Sequence, residues 1–255
     1  MDRPAIGDPN LDDVAGFWAT RKQVEARIGA AARRVGRDPG AVTVLAVTKT
    51  VPATRIWAAI TAGFTTLGEN RVQERASKAL ELPREDGPGG PAGRPVEWHL
   101  VGPLQSNKAR RAVELFDVIE TVDSLALAQR LDRIVAELRP GRKLPVLLQV
   151  NVDADAAKAG FAQATLERDL ASILALPALS VDGLMTVGRL VNDPELARPT
   201  FVALRTLSER LRARFPGLGS HLSMGMTDDF EVAVEEGATL VRIGRAIFGA
   251  RPTVG

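Results

Sequence analysis

Short apolar segments recur eight times along the chain, and each is followed by a segment with the apolar spacing of an amphipathic helix. Strands in which nearly every residue is apolar are typical of parallel sheets, which are buried on both faces. Eight strand–helix units in 255 residues predict an α/β protein built as a single closed (β/α)8 TIM barrel. The predicted strands cover residues 42–48, 64–68, 96–101, 117–121, 145–151, 179–185, 219–223 and 239–243.

The turn after the first strand argues against the other common arrangement of parallel strands. A doubly wound sheet that binds a dinucleotide carries a glycine-rich turn at this point. Here the turn reads Lys49-Thr-Val-Pro52 and contains no glycine. Apolar spacing over 11–35 predicts one extra N-terminal helix before the barrel. We expect residues 1–10 to be a flexible N-terminus and residues 11–255 to form a single domain.

Composition excludes several classes of function. The chain has no cysteine, which rules out disulfides, thiolate metal sites and a cysteine nucleophile. Its net charge is +2, with acids and bases interleaved, which disfavours a nucleic-acid partner. No apolar run reaches the ~18 residues that span a bilayer, and the N-terminus does not resemble a signal peptide. We therefore expect a cytoplasmic protein without a membrane partner, and amphipathic helix faces favour a monomer.

Lys49 ends the first predicted strand of a chain that otherwise prefers arginine. The sequence has six lysines against twenty-seven arginines. Arginine stays charged, whereas a desolvated lysine can lose its proton and attack a carbonyl carbon. A lysine at the end of a buried strand can equally be structural, with its ammonium group reaching solvent. The residue alone leaves both interpretations open.

The polar residues at the predicted strand ends support the reactive interpretation. Functional residues of a (β/α)8 barrel cluster at the C-terminal ends of its strands. Closure places the eighth strand beside the first, so Arg242 and Lys49 are predicted neighbours. A nearby guanidinium and partial burial both favour the neutral amine that forms a Schiff base. The structural alternative is that some of these polar groups do no more than hydrogen-bond to one another. The predicted residues are Lys49, Glu69, Asn70, His99, Asp123, Asn151, Thr186, Ser223 and Arg242.

The loops predicted after the last two strands are suited to binding phosphate. Barrels often hold phosphate there through backbone N–H groups and the start of a short helix. Ser223-Met224-Gly225 offers a hydroxyl and a glycine, and Gly244-Arg245 follows the eighth strand. A plain turn explains either glycine alone. Both loops beside a candidate amine favour a phosphorylated aldehyde, and pyridoxal 5′-phosphate (PLP) meets that description.

Six motifs resemble those of the pyridoxal phosphate homeostasis protein family, in one register along most of the chain. The stretch Gly102-Pro-Leu-Gln-Ser-Asn-Lys108 is highly specific to that family. The resemblance implies a single barrel related to the N-terminal domain of alanine racemase. It also implies a PLP-binding protein of intracellular PLP homeostasis or carriage, with no established turnover. The motifs span Val44–Pro52, Leu67–Glu74, Glu97–Lys108, Gly183–Met185, Leu222–Asp229 and Val241–Arg251.

By position, the resemblance assigns the Schiff base to Lys49. It also implies that Arg242 faces the pyridine nitrogen and that Asn70 lines the ring. The residues predicted at or beside the phosphate are Ser223, Met224, Gly225, Gly244 and Arg245.

Two positions, Arg245 and Val51, differ from the family pattern. Many relatives carry Thr or Ser at the position of Arg245, so one hydroxyl contact to phosphate is missing here. Relatives often carry a second lysine at the position of Val51. Lys158 matches a lysine in a mobile family loop, and we interpret it as a solvated residue rather than a transient cofactor ligand.

The inventory of acids and bases favours a carrier over an enzyme. An arginine at the pyridine nitrogen makes PLP a weaker electron sink, and racemases of this kind need a second base. The chain has no tyrosine and two histidines, His99 and His221. We expect His99 to be a pocket-wall residue and His221 a core residue. The alternatives are a weakly racemase-like PLP enzyme and a lysine-dependent aldolase without cofactor; recipients of carried PLP would be PLP-dependent apoenzymes.

Overall fold

The computed structural model describes residues 11–79, 81–82, 95–188 and 191–249. All eight strands are parallel, and each pairs with the next along the chain until the eighth pairs with the first. This confirms the predicted closed (β/α)8 barrel. The predicted flexible segment, residues 1–10, lies outside the described residues. The strands are β1 (Thr43–Val47), β2 (Thr66–Glu69), β3 (Glu97–Leu100), β4 (Val118–Val122), β5 (Leu144–Gln149), β6 (Leu179–Met185), β7 (His221–Met226) and β8 (Leu240–Ile243).

Helices alternate with the strands and cover the outside of the barrel. Their buried residues follow helical spacing: in the helix after β4, Leu127, Leu131 and Val135 face the barrel. None of the described helices is both long enough and apolar enough to cross a membrane. The α-helices within the described residues are α1 (Leu11–Arg34), α2 (Ala53–Thr61), α3 (Val72–Lys78), α4 (Ala109–Leu115), α5 (Leu125–Leu138), α6 (Gln163–Leu174), α7 (Arg198–Arg214), α8 (Phe230–Glu235) and α9 (Arg245–Phe248).

Helix α1 is the extra N-terminal helix that the apolar spacing predicts. It packs against α2, α8 and α9, across the place where β8 meets β1. Phe17 packs edge-on against Phe248, with ring centroids 5.5 Å apart. Arg27 donates two hydrogen bonds of 3.1 Å to the carboxylate of Glu231. The helix therefore covers the closure of the barrel with both apolar and charged contacts.

The predicted bounds of the second, fifth and seventh strands differ most from the structure, and the fifth ends at Gln149 rather than at residue 151. The second strand is Thr66–Glu69 rather than 64–68, so Glu69 belongs to the strand. The seventh begins at His221 and continues to Met226, because β7 keeps its pairing with β8 through a register shift between Ser223 and Met226. His221, expected in the core, is exposed at the start of β7, with Nδ1 3.1 Å from the Thr239 hydroxyl.

Candidate cofactor site at the barrel mouth

A cavity of about 680 Å³ opens at the C-terminal end of the barrel. Its walls come from residues at or just beyond the ends of β1, β2, β3, β6, β7 and β8, so it lies where barrels carry their functional sites. The family resemblance assigns eight residues to the cofactor site. Five of them line this cavity: Lys49, Asn70, Arg242, Gly244 and Arg245. The predicted neighbours Lys49 and Arg242 thus share one cavity.

The turn that carries Lys49 has a constrained backbone. Thr50, the next residue, has φ of +63°, a left-handed conformation that a β-branched residue rarely adopts. Its N–H donates to the carboxylate of Glu74, and its hydroxyl donates to the carbonyl of Lys49 at 2.6 Å. Val51 N–H donates to Thr48 O at 3.0 Å and closes the turn. These contacts hold the half-buried Lys49 in one place at the end of β1.

Three buried or half-buried charges lie beneath this turn, and we call Glu69, Glu74 and Lys78 the lysine-side cluster. Lys78 Nζ donates to Thr48 O at 2.9 Å, to Glu69 at 2.6 Å and to Glu74 at 3.2 Å. Burial raises the pKa of Glu69, and the neighbouring Lys78 opposes that shift. The cluster ties helix α3 to the backbone on both sides of Lys49.

Glu69 is predicted at the mouth from the sequence, whereas the other two members of the lysine-side cluster are not. Glu74 and Lys78 are four residues apart and therefore lie on the same face of α3. That spacing, directly after a strand ending in Glu69, was the sequence signal that could have predicted the cluster. The structure shows that Glu69 points beneath the lysine turn, where its side chain has no exposure.

Arg242 forms part of the cavity wall, although it is only 5% exposed. Its Nη1 donates to the hydroxyl of Ser223 at 2.7 Å, and its Nη2 donates to the carbonyl of Thr186 at 2.7 Å. Burial lowers the pKa of Arg242, and the charges of Glu120 and Asp229 oppose that shift. Two nitrogens of the guanidinium are therefore hydrogen-bonded to buried groups on the side away from solvent.

A series of hydrogen bonds continues from Ser223 along the inside of the barrel. Ser223 Oγ donates to Glu120 Oε2 at 2.5 Å, and Glu120 Oε1 lies 2.7 Å from His99 Nδ1. His99 Nε2 lies 2.9 Å from Glu97 Oε2. Glu97 begins β3, at the opposite end of the barrel, and its side chain is 53% exposed. We call Glu97, His99, Glu120 and Ser223 the axial chain.

The charges in the axial chain follow from these contacts. Burial alone would lower the pKa of His99, but hydrogen bonds to Glu120 and Glu97 raise it to about 9. Burial opposes ionisation of Glu120, yet hydrogen bonds and charge from His99, with the charge of Arg242, hold the pKa of Glu120 below its usual range. Near neutral pH, His99 is an imidazolium between two carboxylates. The expected pocket-wall histidine instead lies inside the barrel.

The remaining three predicted residues lie within β7 rather than in a loop. Ser223 and Met224 are fully buried. Gly225 has φ of +90°, and a Cβ there would lie 2.5 Å from the Cβ of Ala233, so the fold itself requires this glycine. The residues of this segment that line the cavity are Met226, Thr227, Asp228 and Asp229.

Gly244 differs from Gly225 in that the fold does not require a glycine. Its φ is −113°, which any residue can adopt. A Cβ would meet Val47 O at 3.4 Å and Val47 Cβ at 3.6 Å, which are ordinary contact distances. Arg245, which follows it, begins α9 and is exposed, with its guanidinium paired to the carboxylate of Asp228. The space beside Gly244 is therefore available to a molecule in the cavity.

The other predicted polar residues serve the loops around the mouth. Asn151 Nδ2 donates to Asp155 O at 2.7 Å and to Lys158 O at 3.2 Å, which orders the loop after β5. Thr186 Oγ1 donates to Val150 O at 2.8 Å. Lys158 Nζ contacts Asp153 Oδ2 and Val187 O, each at 3.2 Å. Asp123, half-buried after β4, does not line the cavity.

Residues 21–252 match the family model of the alanine racemase N-terminal domain. The pyridoxal phosphate homeostasis protein of Escherichia coli K12 is 44% identical over 246 residues, which cover 94% of this chain and 98% of that protein. The structure of PipY from Synechococcus elongatus with PLP bound is 41% identical, covers 89% of this chain and 100% of its own, and has a TM-score of 0.75.

A more distant structure shares only the fold. Alanine racemase from Clostridium difficile is 13% identical, with a TM-score of 0.68, and the match covers 98% of this chain and 61% of that one. The family model and the close relatives together cover nearly the whole barrel. The chain belongs to the alanine racemase N-terminal domain family and, within it, to the pyridoxal phosphate homeostasis proteins.

Proposed function

We propose that this protein binds PLP in the mouth cavity, holds it as a Schiff base on Lys49, and acts in PLP homeostasis without catalytic turnover. The observation that carries the proposal is the convergence of Lys49, Asn70, Arg242 and Gly244 on one cavity at the C-terminal end of the barrel. When bound, PLP supplies an aldehyde that condenses with an amine and a phosphate that needs hydrogen-bond donors. The cavity offers groups suited to both ends.

The residues present fit this cofactor. Lys49 is held at a fixed turn, and Arg242 offers a buried cation at the wall where the ring nitrogen is proposed to lie. Gly244 leaves room for close approach of a phosphate to the backbone that leads into α9. Direct contacts from Ser223, Met224 and Gly225 to the phosphate remain a prediction, as does the contact from Arg245.

The contacts of His99 support a carrier rather than a racemase. A second catalytic base must accept a proton from the substrate within hydrogen-bonding reach. His99 has a carboxylate at each ring nitrogen, is an imidazolium near neutral pH, and does not line the cavity. The other histidine, His221, lies at the opposite end of the barrel. Neither histidine is suited to exchange a proton with a molecule bound at Lys49.

The test of binding is chemical trapping at Lys49. The purified protein incubated with PLP should absorb in the visible range, and borohydride should fix a pyridoxyl group on Lys49, as read by peptide mass spectrometry. Lys49→Ala should lose the fixed group, whereas Lys143→Ala, an exposed lysine away from the cavity, should keep it. Full retention of a reducible adduct by Lys49→Ala would refute the assignment.

A separate experiment addresses turnover. If the protein is a carrier, a panel of amino acids in deuterated water should show no exchange at the α-carbon over many hours, with an alanine racemase as the positive control. Measurable exchange that disappears in Lys49→Ala would instead establish a racemase-like enzyme. We further propose that the protein is a cytoplasmic monomer whose recipients are PLP-dependent apoenzymes. Transfer of PLP to such an apoenzyme, followed by the recipient's recovered activity, measures that role.

A further inference from the structure

The axial chain connects the cavity to the opposite end of the barrel through side chains that do not line the cavity themselves. Starting at Arg242, each link has a donor and an acceptor: guanidinium to Ser223 hydroxyl, hydroxyl to Glu120, and His99 to Glu120 and Glu97. Three of its four side chains, those of His99, Glu120 and Ser223, are at most 4% exposed. Apart from the contact predicted between Ser223 and the phosphate, the proposed binding of PLP uses their polar groups only through Arg242.

The axial chain also balances the charge of Arg242 inside the barrel. A buried cation without a partner is strongly disfavoured, and a hydrogen-bonded carboxylate compensates it. Glu120 supplies that charge behind Ser223, while the imidazolium of His99 prevents Glu120 from taking up a proton. Asp229 is a second carboxylate whose charge acts on Arg242, from the segment after β7.

We propose that His99, Glu120 and Ser223 are positioning residues that hold the guanidinium of Arg242 in the orientation that receives the pyridine ring of PLP. The inference rests on the proposed function, because it concerns the same cavity. It gives the hydroxyl of Ser223 a role at Arg242 in place of the role predicted at the phosphate. His99 acts two links away, by keeping Glu120 ionised and in place.

A double-mutant cycle on PLP affinity tests whether Glu120 acts through Arg242. Glu120→Gln should weaken binding on the order of tenfold, as expected for loss of a hydrogen bond to a charged group. Arg242→Gln should weaken binding more. The double variant should match Arg242→Gln within about twofold, because residues that act through one another are not additive. A double variant that shows the product of the two single effects would overturn the inference.

Ser223→Ala provides a second route if Glu120→Gln folds poorly. It removes the link between Glu120 and Arg242 while leaving both charges, and should weaken binding by about fivefold. In the cofactor-free protein, nitrogen NMR of the Arg242 side chain should show hydrogen exchange about tenfold faster in Ser223→Ala than in the wild type. Unchanged exchange in the cofactor-free protein would overturn the proposal without reference to the loaded protein, and unchanged affinity would also overturn it.

The matched control is the other histidine, His221, whose charge acts on Glu97 at the far end of the axial chain but which makes no hydrogen bond to His99 or Glu120. His99→Gln should lower PLP affinity several-fold and speed exchange at Arg242, whereas His221→Gln, on the exposed start of β7, should change neither. Equal effects from the two would overturn the positioning role of His99. Failure of the wild-type protein to bind PLP would refute the proposed function itself, and the inference with it. Normal wild-type binding with an additive cycle would refute the inference alone.

Discussion

Two groups of buried charges support the two sides of the cavity, and they act on different parts of the chain. The lysine-side cluster holds backbone: Lys78 binds the carbonyl of Thr48, and Glu74 accepts from the N–H of Thr50, on either side of Lys49. The axial chain holds a side chain, because its last member, Ser223, accepts from Arg242. One side therefore constrains the backbone from which the Lys49 side chain extends, and the other constrains the direction of the Arg242 guanidinium.

The central carboxylates of the two groups are equally inaccessible but have opposite pKa shifts. Glu69 and Glu120 both have side chains with no exposure. Burial raises the pKa of Glu69, whose Oε2 has no hydrogen-bond partner among the described residues. Burial also opposes ionisation of Glu120, but His99 and Ser223 together occupy both of its oxygens, and its pKa is lowered. Hydrogen-bond partners, rather than depth, decide which carboxylate is the firmer anion.

The largest effect is expected on the lysine side. Lys78→Met removes one partner of a buried pair and leaves Glu69 uncompensated, so it should cost about 3–5 kcal/mol in the free energy of unfolding. Urea denaturation at neutral pH measures this. The matched control is Lys22→Met, which breaks an exposed pair with Glu25 at 3.3 Å and should cost less than about 1 kcal/mol. Similar costs for the two variants would show that the lysine-side cluster contributes little.

The axial chain should be recognisable by its pH dependence. The folded-state pKa of His99 is raised from 6.5 to about 9, so its contribution is fully present below pH 6.5 and is lost as pH rises toward 9. The size of this loss is on the order of 3 kcal/mol. Denaturation curves between pH 6 and 9.5 should therefore show a decline in stability that His99→Gln lacks and His221→Gln keeps. A wild-type protein with the same pH slope as His99→Gln would contradict the imidazolium assignment.

Two glycines on the arginine side distinguish fold requirements from ligand requirements. Gly225→Ala places a side chain at φ of +90° and against Ala233, so it should cost about 1–3 kcal/mol of stability. Gly244→Ala should change stability by less than about 0.5 kcal/mol, because the Cβ meets Val47 only at ordinary contact distance. If the phosphate lies there, Gly244→Ala should still weaken PLP binding. Thermal melts without PLP and titrations with it separate the two effects.

The fold and the place of Lys49 at the cavity were accessible from sequence because both depend on local patterns. Eight apolar strands alternating with helices predict the barrel, and Lys49 directly follows the first of them. The end of β7 could not be predicted from the sequence, because a glycine such as Gly225 is typical of a loop. Pairing with β8 nevertheless continues past it through a register shift. That shift also decides which β7 side chains face the interior, so the contacts of Ser223 could not be assigned from alternation.

Glu120 was missed for a different reason: its partners are distant in sequence. Glu120 lies 103 residues from Ser223 and 21 from His99. Its signal was a glutamate in the middle of the apolar strand Val118-Ile-Glu-Thr-Val122. A carboxylate in such a strand needs a buried partner, but the sequence does not identify which residue that is. Closure of the barrel is what brings the partners together.

The smallest expected effect concerns Arg245, where this chain departs from the family pattern. Its pair with Asp228 is exposed on both sides, 60% and 53%, so losing it should change stability by less than about 0.5 kcal/mol. Arg245→Thr keeps the backbone N–H at the start of α9 and adds a hydroxyl donor beside Gly244. If the phosphate lies there, the variant should bind PLP about threefold more tightly than Arg245→Ala, which loses the same ion pair without gaining the hydroxyl. Equal affinities for the two variants would place the phosphate away from α9, leaving Arg242 and Lys49 as the groups that hold the cofactor.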